Sequence, residues 1–372
     1  MAQQKLHVAI VFGGKSAEHE ISVKSASNVY KAIDRSRFEV SLLGIDPQGR
    51  WHLVDGDKLI AVKPDLKAIE NCSISAALPS LPAGDADPAK LNPIVIKNPA
   101  LNRKIDVAFP ILHGPNGEDG TVQGFLKLAG IPFVGAGVLG SAVGMDKDVM
   151  KRLLRDAGIP VVPFVVVRQH ERRGLKFEDV KRLLGMPVFV KPANLGSSVG
   201  ISRAEDAASF AKSVEEAFKY DTKILVEKAA VGREILCAVL GNENPKAALP
   251  GEVITAASHK FYSYEAKYLD SSAAQTVAPA NLTLEQVKKI QDTSVQAFEV
   301  LCCEGMGRVD LFLTPDDTVL VNEINTLPGF TNISMYPRLW EISGLPYQDL
   351  ITRLIELALE RAQSEAALKT AR

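Results

Sequence analysis

Two short polar segments near the C-terminal end, residues 307–310 and 322–325, each lie within an apolar run that has the periodicity of a β-strand. The Pro-Asp-Asp-Thr sequence between them, at residues 315–318, is typical of a turn. The two runs therefore predict a β-hairpin with one polar face. The period of two assigns these side chains to that face: Arg308, Asp310 and Phe312 on the first strand, and Val319, Val321, Glu323 and Asn325 on the second.

The polar face of this hairpin has the composition of a metal site. With a four-residue loop, Asp310 lies opposite Glu323 and Arg308 lies opposite Asn325, with Cβ atoms roughly 5 Å apart across each pair. Facing carboxylates repel each other unless a positive charge lies between them. Two carboxylates and an amide, with no nearby His or Cys, suit Mg²⁺ carrying a nucleotide phosphate better than Zn²⁺. The alternative is a solvated sheet face with an ordinary ion pair.

Composition limits the kind of protein and partner. The 372 residues, 46% of them hydrophobic, are enough for two or three domains with their own cores. With 43 basic and 44 acidic residues the net charge is −1, so charge gives no support for a nucleic-acid or membrane partner. The four cysteines lack CxxC spacing, which indicates reduced thiols in a cytoplasmic protein. No run is long enough to cross a bilayer.

The order of predicted elements favours an α/β fold in three parts. Strands at 6–12, 39–45 and 105–112 alternate with helices at 21–33 and from 121 to 129, as in an open parallel sheet. A Pro-rich stretch, 55–99, predicts peripheral loops and edge strands. Further on we predict a helix at 145–157, strands at 164–168 and 187–191 around a helix at 177–184, and a closing helix at 347–362. New domains are expected to begin near residues 138 and 232.

A strand ending in Lys191 leads into the small-residue loop 192–200, which can close over phosphates. Taken alone, such a Gly/Ser loop is more often an ordinary turn. Two better-known nucleotide-binding motifs are rejected because the surrounding sequence does not match them. A P-loop ending at residues 14–16 would need its first glycine at Ala9, inside a strand. The glycine pattern at 135–140 matches the dinucleotide-binding motif, but no second strand ending in an acidic residue follows about 20 residues later.

Three more segments could serve a nucleotide site. Glu227 and Lys228 end an apolar run, and Glu234 follows shortly afterwards. The aromatic and charged segment 261–272 has the composition of a lid over an active site. For all three, a solvated surface loop is the commoner alternative.

Together these segments resemble the ATP-grasp superfamily, and within it the D-alanine–D-alanine ligases. The resemblance covers nearly the whole chain. It rests on six ordered motifs: FGGKSAEHE (12–20), HG with GEDG (113–114 and 117–120), MDK (145–147), KP with GSSVG (191–192 and 196–200), EAKY (265–268) and NEINTLPG (322–329).

The family resemblance implies an α/β (α+β ATP-grasp) fold. Its parts would be an N-terminal α/β domain (1–137), a central ATP-grasp domain with the Gly/Ser phosphate loop (138–231), and a C-terminal ATP-grasp domain with the lid and metal site (232–372). It also implies a cytoplasmic homodimer that makes D-alanyl-D-alanine for peptidoglycan, using ATP to form a D-alanyl phosphate.

The resemblance also assigns site residues. Lys147 and Lys191 would hold the α- and β-phosphates of ATP, Lys267 the γ-phosphate, and Glu227 and Glu234 the adenine and ribose. The other nucleotide contacts would be Ser197, Ser198, Lys228, Phe261, Asn322 and Glu323. Two Mg²⁺ ions, with Mn²⁺ as an alternative, would be held by Asp310, Glu323 and Asn325.

For the amino acid substrates, the resemblance implies that Glu18 holds the first D-alanine's ammonium and that His113 lies near its carboxylate. Arg308 would stabilise the transferring phosphoryl group. Glu18, Ser197 and Tyr268 would link the first domain to the lid. The second substrate would contact Gly329, Ser334 and Met335.

Ala229 and Ala230 replace the larger apolar pair that is frequent in the family behind the adenine, so the resemblance predicts a roomier nucleotide pocket. Two rival functions stay open at this point: a depsipeptide or other carboxylate–amine ligase on the same scaffold, and a nucleotide-binding regulator without turnover. The intact set of charged residues on the hairpin argues against the regulator.

Overall fold

The computed structural model describes residues 4–65, 67–75, 104–255 and 274–369, which form three β-sheets flanked by helices. This mixed architecture confirms the predicted α/β fold class. The predicted lid, which includes Phe261, Lys267 and Tyr268, and residues 76–99 of the Pro-rich stretch lie outside the described residues.

The first sheet has five strands in the spatial order β4-β3-β2-β1-β5. Their bounds are Leu6–Gly13 (β1), Phe38–Ile45 (β2), Trp51–Val54 (β3), Ser73–Ser75 (β4) and Val107–Ile111 (β5). The central strand β1 pairs in parallel with β2 and β5, as predicted. At one end of the sheet β3 pairs antiparallel with β2 and with the edge strand β4, so the sheet is not wholly parallel. The connection from β2 to β3 is too short for the crossover that parallel pairing requires.

Helices cover both faces of the first sheet. They are α1 (His19–Ala32), α2 (Gly56–Ala61), α3 (Ala68–Asn71) and α4 (Thr121–Leu128). Alternate β1 residues face two different cores: Val8, Ile10 and Phe12 face one, and Ala9 and Val11 face the other. Burial on both faces explains why β1 is an unbroken apolar run.

The central sheet has four antiparallel strands in the order β6-β9-β7-β8. They are β6 (Phe164–Arg168), β7 (Val188–Pro192), β8 (Ser202–Ala204) and β9 (Lys223–Lys228). The helices of this region are α5 (Val138–Met145), α6 (Lys147–Asp156), α7 (Phe177–Leu184) and α8 (Ala207–Ala217), with a 3-10 helix at Gln169–Gly174.

Helix α6 begins two residues later than predicted, because the Asp146 carboxylate caps it. That carboxylate accepts hydrogen bonds from the backbone N–H groups of Asp148 and Val149, both at 3.1 Å. The cap makes Lys147 the first residue of α6.

The third sheet has six antiparallel strands in the order β13-β12-β10-β14-β15, with β11 beside β10. They are β10 (Arg233–Gly241), β11 (Lys246–Ala247), β12 (Gly251–Thr255), β13 (Ala274–Val277), β14 (Gly305–Leu313) and β15 (Val319–Asn325). Its helices are α9 (Leu284–Val300), α10 (Met335–Ile342) and α11 (Tyr347–Ala366). Among the described residues, no helix is both long and apolar enough to cross a membrane.

The cores show how the sheets are joined. One continuous core extends from the first sheet to β10 and helices α10 and α11. Met150 and Leu154 of α6 are buried against β14, β15 and α9 of the third sheet, whereas the central sheet has a core of its own. The division at residues 138 and 232 stays a prediction.

Arg361 of α11 joins the end of the chain to the segment before α5. Its guanidinium donates hydrogen bonds to the carbonyl oxygens of Gly135, at 2.6 Å, and Phe133, at 2.7 Å, and lies 3.3 Å from the Glu304 carboxylate. The side chain is only 8% exposed. Without Arg361, two buried carbonyl groups would lack a donor.

We therefore expect Arg361→Met to lower the free energy of unfolding by about 2–4 kcal/mol, because buried acceptors left unpaired are costly. The matched control is Arg353→Met on the same helix. Arg353 is 40% exposed and pairs with the surface residues Glu356 and Glu360, so its loss should cost less than about 0.5 kcal/mol. Urea denaturation of both variants tests this, and equal midpoints would contradict it.

Candidate active site

The hairpin of β14 and β15 has the predicted cross-strand pairs. Arg308 lies opposite Asn325, and Asp310 lies opposite Glu323. The predicted loop length was wrong, because Leu313 already pairs with Val319 and the loop is residues 314–318. A β-bulge at Asn322 compensates for the extra loop residue and restores the pairing of the polar side chains.

The bulge also changes which side chains share the polar face. The prediction that Val319 and Val321 lie on that face was wrong: both are buried in the core, beside Val309 and Leu311. The extra residue reverses the alternation, so the polar side chains after it point away from that core. Asn322 and Glu323, although consecutive, both line the same pocket.

This pocket, of about 410 Å³, lies between the central and third sheets. Its walls contain seven of the predicted nucleotide contacts, two of them on the hairpin: Lys191, Ser198, Glu227, Lys228, Glu234, Asn322 and Glu323. Apolar side chains, among them Phe189, Ile201 and Phe312, also line it, together with Ala230 and the ion pair of Arg233 and Glu252. The small side chain of Ala230 lies at the position where the resemblance predicted a roomier pocket.

Two lysines cross the gap between the sheets. Lys191, on β7, lies 2.7 Å from the Glu227 carboxylate on β9 and donates a 3.3 Å hydrogen bond to the side-chain oxygen of Asn322. Lys147, the first residue of α6, lies 3.3 Å from the Glu323 carboxylate. Both side chains are about 5% exposed. Their charges are therefore held in a poorly hydrated cleft, where they act strongly on a bound anion.

The Gly/Ser loop, residues 192–200, contacts the segment between β1 and α1 of the first sheet. The Ser197 hydroxyl donates a hydrogen bond to the Glu18 carboxylate, just before α1. Ser197 and Ser198 have positive φ angles of 50° and 59°. Two consecutive non-glycine residues in this conformation are strained, and such strain is frequent at ligand-binding loops. Lys147 donates a 2.7 Å hydrogen bond to the Leu195 carbonyl and so supports the same loop.

A second cluster of charged groups lies where the first sheet meets the segment after β15. His113 donates through Nδ1 to the Leu327 carbonyl at 3.0 Å, since a carbonyl can only accept. Its Nε2 is buried and has no hydrogen-bond partner among the described residues. Burial lowers the pKa of His113, although Glu18 opposes that shift. Burial thus disfavours the protonated imidazole, and the bond from Nδ1 to Leu327 leaves Nε2 as the ring nitrogen that can meet a ligand.

Glu118 belongs to the same cluster. Its carboxyl oxygens accept hydrogen bonds from the backbone N–H groups of Gly114, at 2.7 Å, and Leu327, at 3.4 Å. Burial, reinforced by the nearby negative charge of Glu18, raises its pKa to about 8. Through these hydrogen bonds Glu118 connects the loop that contains His113 to the segment after the hairpin.

Arg308 and Asp310 form a two-pronged ion pair, with both N–O distances 2.7 Å. Asn325 donates to the same carboxylate at 3.1 Å. Asp310 is buried, whereas the Arg308 side chain is partly exposed. The predicted metal ligands Asp310 and Asn325 therefore touch each other.

The predicted contacts of the second substrate lie further along the chain. Ser334 precedes α10, and its hydroxyl accepts from the Thr331 backbone N–H at 2.9 Å. Gly329 lies against it, since a Cβ at Gly329 would be 2.9 Å from the Ser334 hydroxyl oxygen. The Met335 side chain is buried in the core, which leaves only its backbone for a substrate.

Two buried groups of this region were given no role by sequence reasoning. Glu118 was quoted only as part of a motif. Lys151, fully buried on α6, lies 3.3 Å from Glu227. Its spacing of four from Lys147, which puts both on one helix face, was the available signal.

Comparison with known proteins shows to which family the chain is similar. Residues 7–136 match the family model described as the D-ala D-ala ligase N-terminus, and residues 153–356 match the one described as its C-terminus. D-alanine–D-alanine ligase A of Escherichia coli K12 is 51% identical over 367 residues, 99% of each chain. The ligase A of Chromobacterium violaceum is 50% identical over 368 residues, 98% of each chain.

Solved structures agree. The D-alanine-D-alanine ligase from Coxiella burnetii superposes with a TM-score of 0.80 at 40% identity, covering 98% of this chain and 97% of that one. The VanG D-Ala:D-Ser ligase from Enterococcus faecalis gives 0.81 at 33% identity, covering 95% and 100%. Because the similarity extends over both terminal family models and nearly the whole of each relative, the chain belongs to the D-alanine–D-alanine ligase family and has its ATP-grasp fold.

Proposed function

We propose that this chain uses ATP to join two D-alanine molecules into D-alanyl-D-alanine for peptidoglycan synthesis. Its similarity to ligases of that name over nearly their whole length supports the reaction. The contact of Ser197 with Glu18 is the observation that links this reaction to the geometry. It joins the loop beside the nucleotide pocket to the residue proposed to hold the first D-alanine.

At the nucleotide end, Glu227 and Lys228 bind the adenine and Glu234 binds the ribose. All three line the pocket. Lys147 and Lys191, with Ser197, Ser198 and Asn322, hold the phosphates, because buried cations and a hydroxyl-rich loop are suited to an anion. Phe261 and Lys267, outside the described residues, would complete the site from the lid.

The proposed metal ligands are Asp310, Glu323 and Asn325, which would hold two Mg²⁺ ions or, alternatively, Mn²⁺. The donor set fits, because Asp310 and Glu323 are directly opposite each other, and each faces a cation of the protein. Among the described residues no three His, Cys, Asp or Glu side chains form a metal cluster. In the proposed site the Asn325 amide and phosphate oxygens would complete the set. When bound, these ions would neutralise negative charge on the phosphates of ATP.

In the proposed reaction, a carboxylate oxygen of the first D-alanine bonds to the γ-phosphorus of ATP as the bond to ADP breaks. This yields a D-alanyl phosphate. The amine of the second D-alanine then attacks its carbonyl carbon and loses a proton, and phosphate leaves with the electrons of the C–O bond. Enclosure of the site by the Gly/Ser loop and the lid excludes water, which would otherwise hydrolyse the acyl phosphate.

The chain's own residues position these atoms. Glu18 pairs with the ammonium of the first D-alanine, and His113 lies beside its carboxylate. Arg308 faces the transferring phosphoryl group, where its guanidinium stabilises negative charge. Glu18 and Ser197 are in contact, and Tyr268, outside the described residues, would extend this link to the lid. Gly329, Ser334 and the Met335 backbone at the start of α10 receive the second D-alanine's carboxylate.

The most specific element of this proposal is the identity of the second substrate. Tyr268 is the residue proposed to favour an amine over D-lactate, and it lies outside the described residues. The VanG relative is named for D-serine, so the scaffold accepts other second substrates. The rival functions are therefore another carboxylate–amine ligase, such as one that uses D-serine, and a depsipeptide ligase, which forms an ester with D-lactate.

We also propose a cytoplasmic homodimer. All four cysteines are free, three of them buried, as predicted for a reducing compartment. The dimer rests on the family resemblance alone.

The reaction itself is tested by measuring phosphate release from ATP and Mg²⁺ with D-alanine, L-alanine, D-alanine plus D-lactate, or no acceptor, with mass analysis of products. We expect release that depends on D-alanine and yields D-alanyl-D-alanine. An ester product as the main outcome would favour the depsipeptide ligase. ATP binding without turnover in any mixture would favour the regulator.

Removing a metal ligand tests the hairpin's role. We expect Asp310→Asn and Glu323→Gln each to lower kcat by on the order of 10² or more, because charge stabilisation of the phosphoryl group is lost. The control is Asp316→Asn in the exposed hairpin loop, which should leave kcat unchanged. Near-normal turnover in the first two variants would refute the metal assignment.

The raised pKa of Glu118 predicts a pH-dependent stability. Between its ordinary value of 4.5 and about 8, the folded chain holds a proton that the unfolded chain has released. The folded state then binds more protons, so this group's contribution to the free energy of unfolding falls as pH rises through that interval.

Glu118→Gln does not titrate, so it should gain stability relative to the unsubstituted chain between about pH 5 and pH 8. Thermal unfolding across that range measures the difference. Glu360→Gln, an exposed carboxyl on α11, is the control and should give a curve parallel to that of the unsubstituted chain. A parallel curve for Glu118→Gln as well would show that Glu118 is ionised in the folded protein.

A further inference from the structure

Lys151 is a buried charge for which the proposed reaction has no role. It lies on α6, one turn after Lys147, and its side chain has no exposed surface. Its helix neighbours Met150 and Leu154 belong to the core under the third sheet. A lysine in such a place is tolerated only beside an acceptor, because desolvation of an ammonium is costly.

The acceptor of Lys151 is Glu227. Lys151 Nζ lies 3.3 Å from Glu227 Oε1, while Lys191 Nζ lies 2.7 Å from Oε2. Neither Lys151 Nζ nor Glu227 Oε1 has a hydrogen bond of good geometry within the described part of the chain. The two lysines therefore flank one carboxylate, and the three groups together carry a net charge of +1 when all are ionised.

The charged groups of this cluster differ in whether they line the nucleotide pocket. Glu227, Lys191 and Asn322 line the nucleotide pocket, whereas Lys151 is not among its wall residues. Burial lowers the pKa of Lys151 to about 8, and the charge of Glu227 opposes that shift. Lys151 thus contacts Glu227 through the second carboxylate oxygen, Oε1, while Lys191 contacts Oε2 at the pocket wall.

We propose that Lys151 is a positioning residue that orients the Glu227 carboxylate at the base end of the nucleotide site, and thereby sets the preference for adenine over guanine. The inference rests on the proposed role of Glu227 at the adenine. It assigns to α6 two functions one turn apart, with Lys147 at the phosphates and Lys151 behind the base.

The physical basis is the difference between the two purines. Adenine presents an amino donor at the position where guanine presents a carbonyl acceptor. An ionised carboxylate accepts from the first and repels the second. Without Lys151, Glu227 has Lys191 as its one close cation among the described residues. The carboxylate is then free to turn towards Lys191, so its orientation to the base is lost.

The test compares Lys151→Met, Glu227→Gln and the double variant with the unsubstituted enzyme. Methionine keeps the length of the side chain and removes its charge. We expect Lys151→Met to raise the KM for ATP by about tenfold or more, with a much smaller change in kcat and in the KM for D-alanine. The ratio of kcat/KM for ATP to that for GTP should fall.

The pair is tested by a double-mutant cycle. Because Lys151 acts through Glu227, the double variant should lose no more ATP selectivity than Glu227→Gln alone. The matched control is Arg152→Met on the same helix, which removes an exposed arginine but leaves its buried partner Asp148 paired with Lys223, and should leave both KM values unchanged. Additive losses of selectivity would overturn the proposal.

The outcomes separate this inference from the role proposed for Glu227. If Glu227→Gln leaves the ATP-to-GTP ratio unchanged, the adenine assignment fails and the inference fails with it. If Glu227→Gln changes the ratio but Lys151→Met does not, only the inference fails. Equal losses for ATP and D-alanine in Lys151→Met would show a purely structural role.

Should Lys151→Met not fold, Lys151→Arg decides the question, because it retains the charge. Preserved selectivity with ATP over GTP would support the proposal, and selectivity as low as in Glu227→Gln would refute it. The rise in thermal unfolding temperature on adding ATP without D-alanine gives a second readout that is independent of turnover.

Discussion

The pairing of buried charge between sheets is the constraint on which this site depends. Lys147, Lys151 and Lys191 are almost fully buried, and a buried ammonium is tolerated only beside an acceptor. The acceptors are Glu227 on the central sheet and Glu323 on the third. Because each carboxylate contacts a lysine from another element, the charges determine how strand, helix and hairpin meet. The pocket is the space left between them.

The β-bulge in β15 is the second structural feature that shapes the pocket. A regular strand would alternate its side chains and turn either Asn322 or Glu323 into the core. With the bulge, both line the pocket, so one contacts Lys191 and the other contacts Lys147. The same irregularity keeps Asp310 opposite Glu323 despite the five-residue loop. Two consecutive residues thus serve two different lysines.

Sequence reasoning reached the fold and much of the site because those features are local or lie in recognisable motifs. The hairpin pairs of Arg308 and Asp310, the parallel centre of the first sheet and the helix at Phe177–Leu184 follow from periodicity and turn chemistry. The role of Lys151 could not be predicted in the same way. A lysine four residues after another is usually solvated, and only packing of α6 against the third sheet makes it buried.

The sequence by itself determined the α/β class, the hairpin with facing carboxylates and the order of the motifs, because periodicity and residue chemistry act over a few neighbouring positions. The tertiary structure alone decided which charges are buried and which partners they meet. Glu18 and Ser197 are far apart along the chain, as are Lys191 and Asn322, yet each pair is in contact. Burial and long-range pairing depend on how whole elements pack, and packing is a property of three-dimensional arrangement that no local pattern contains.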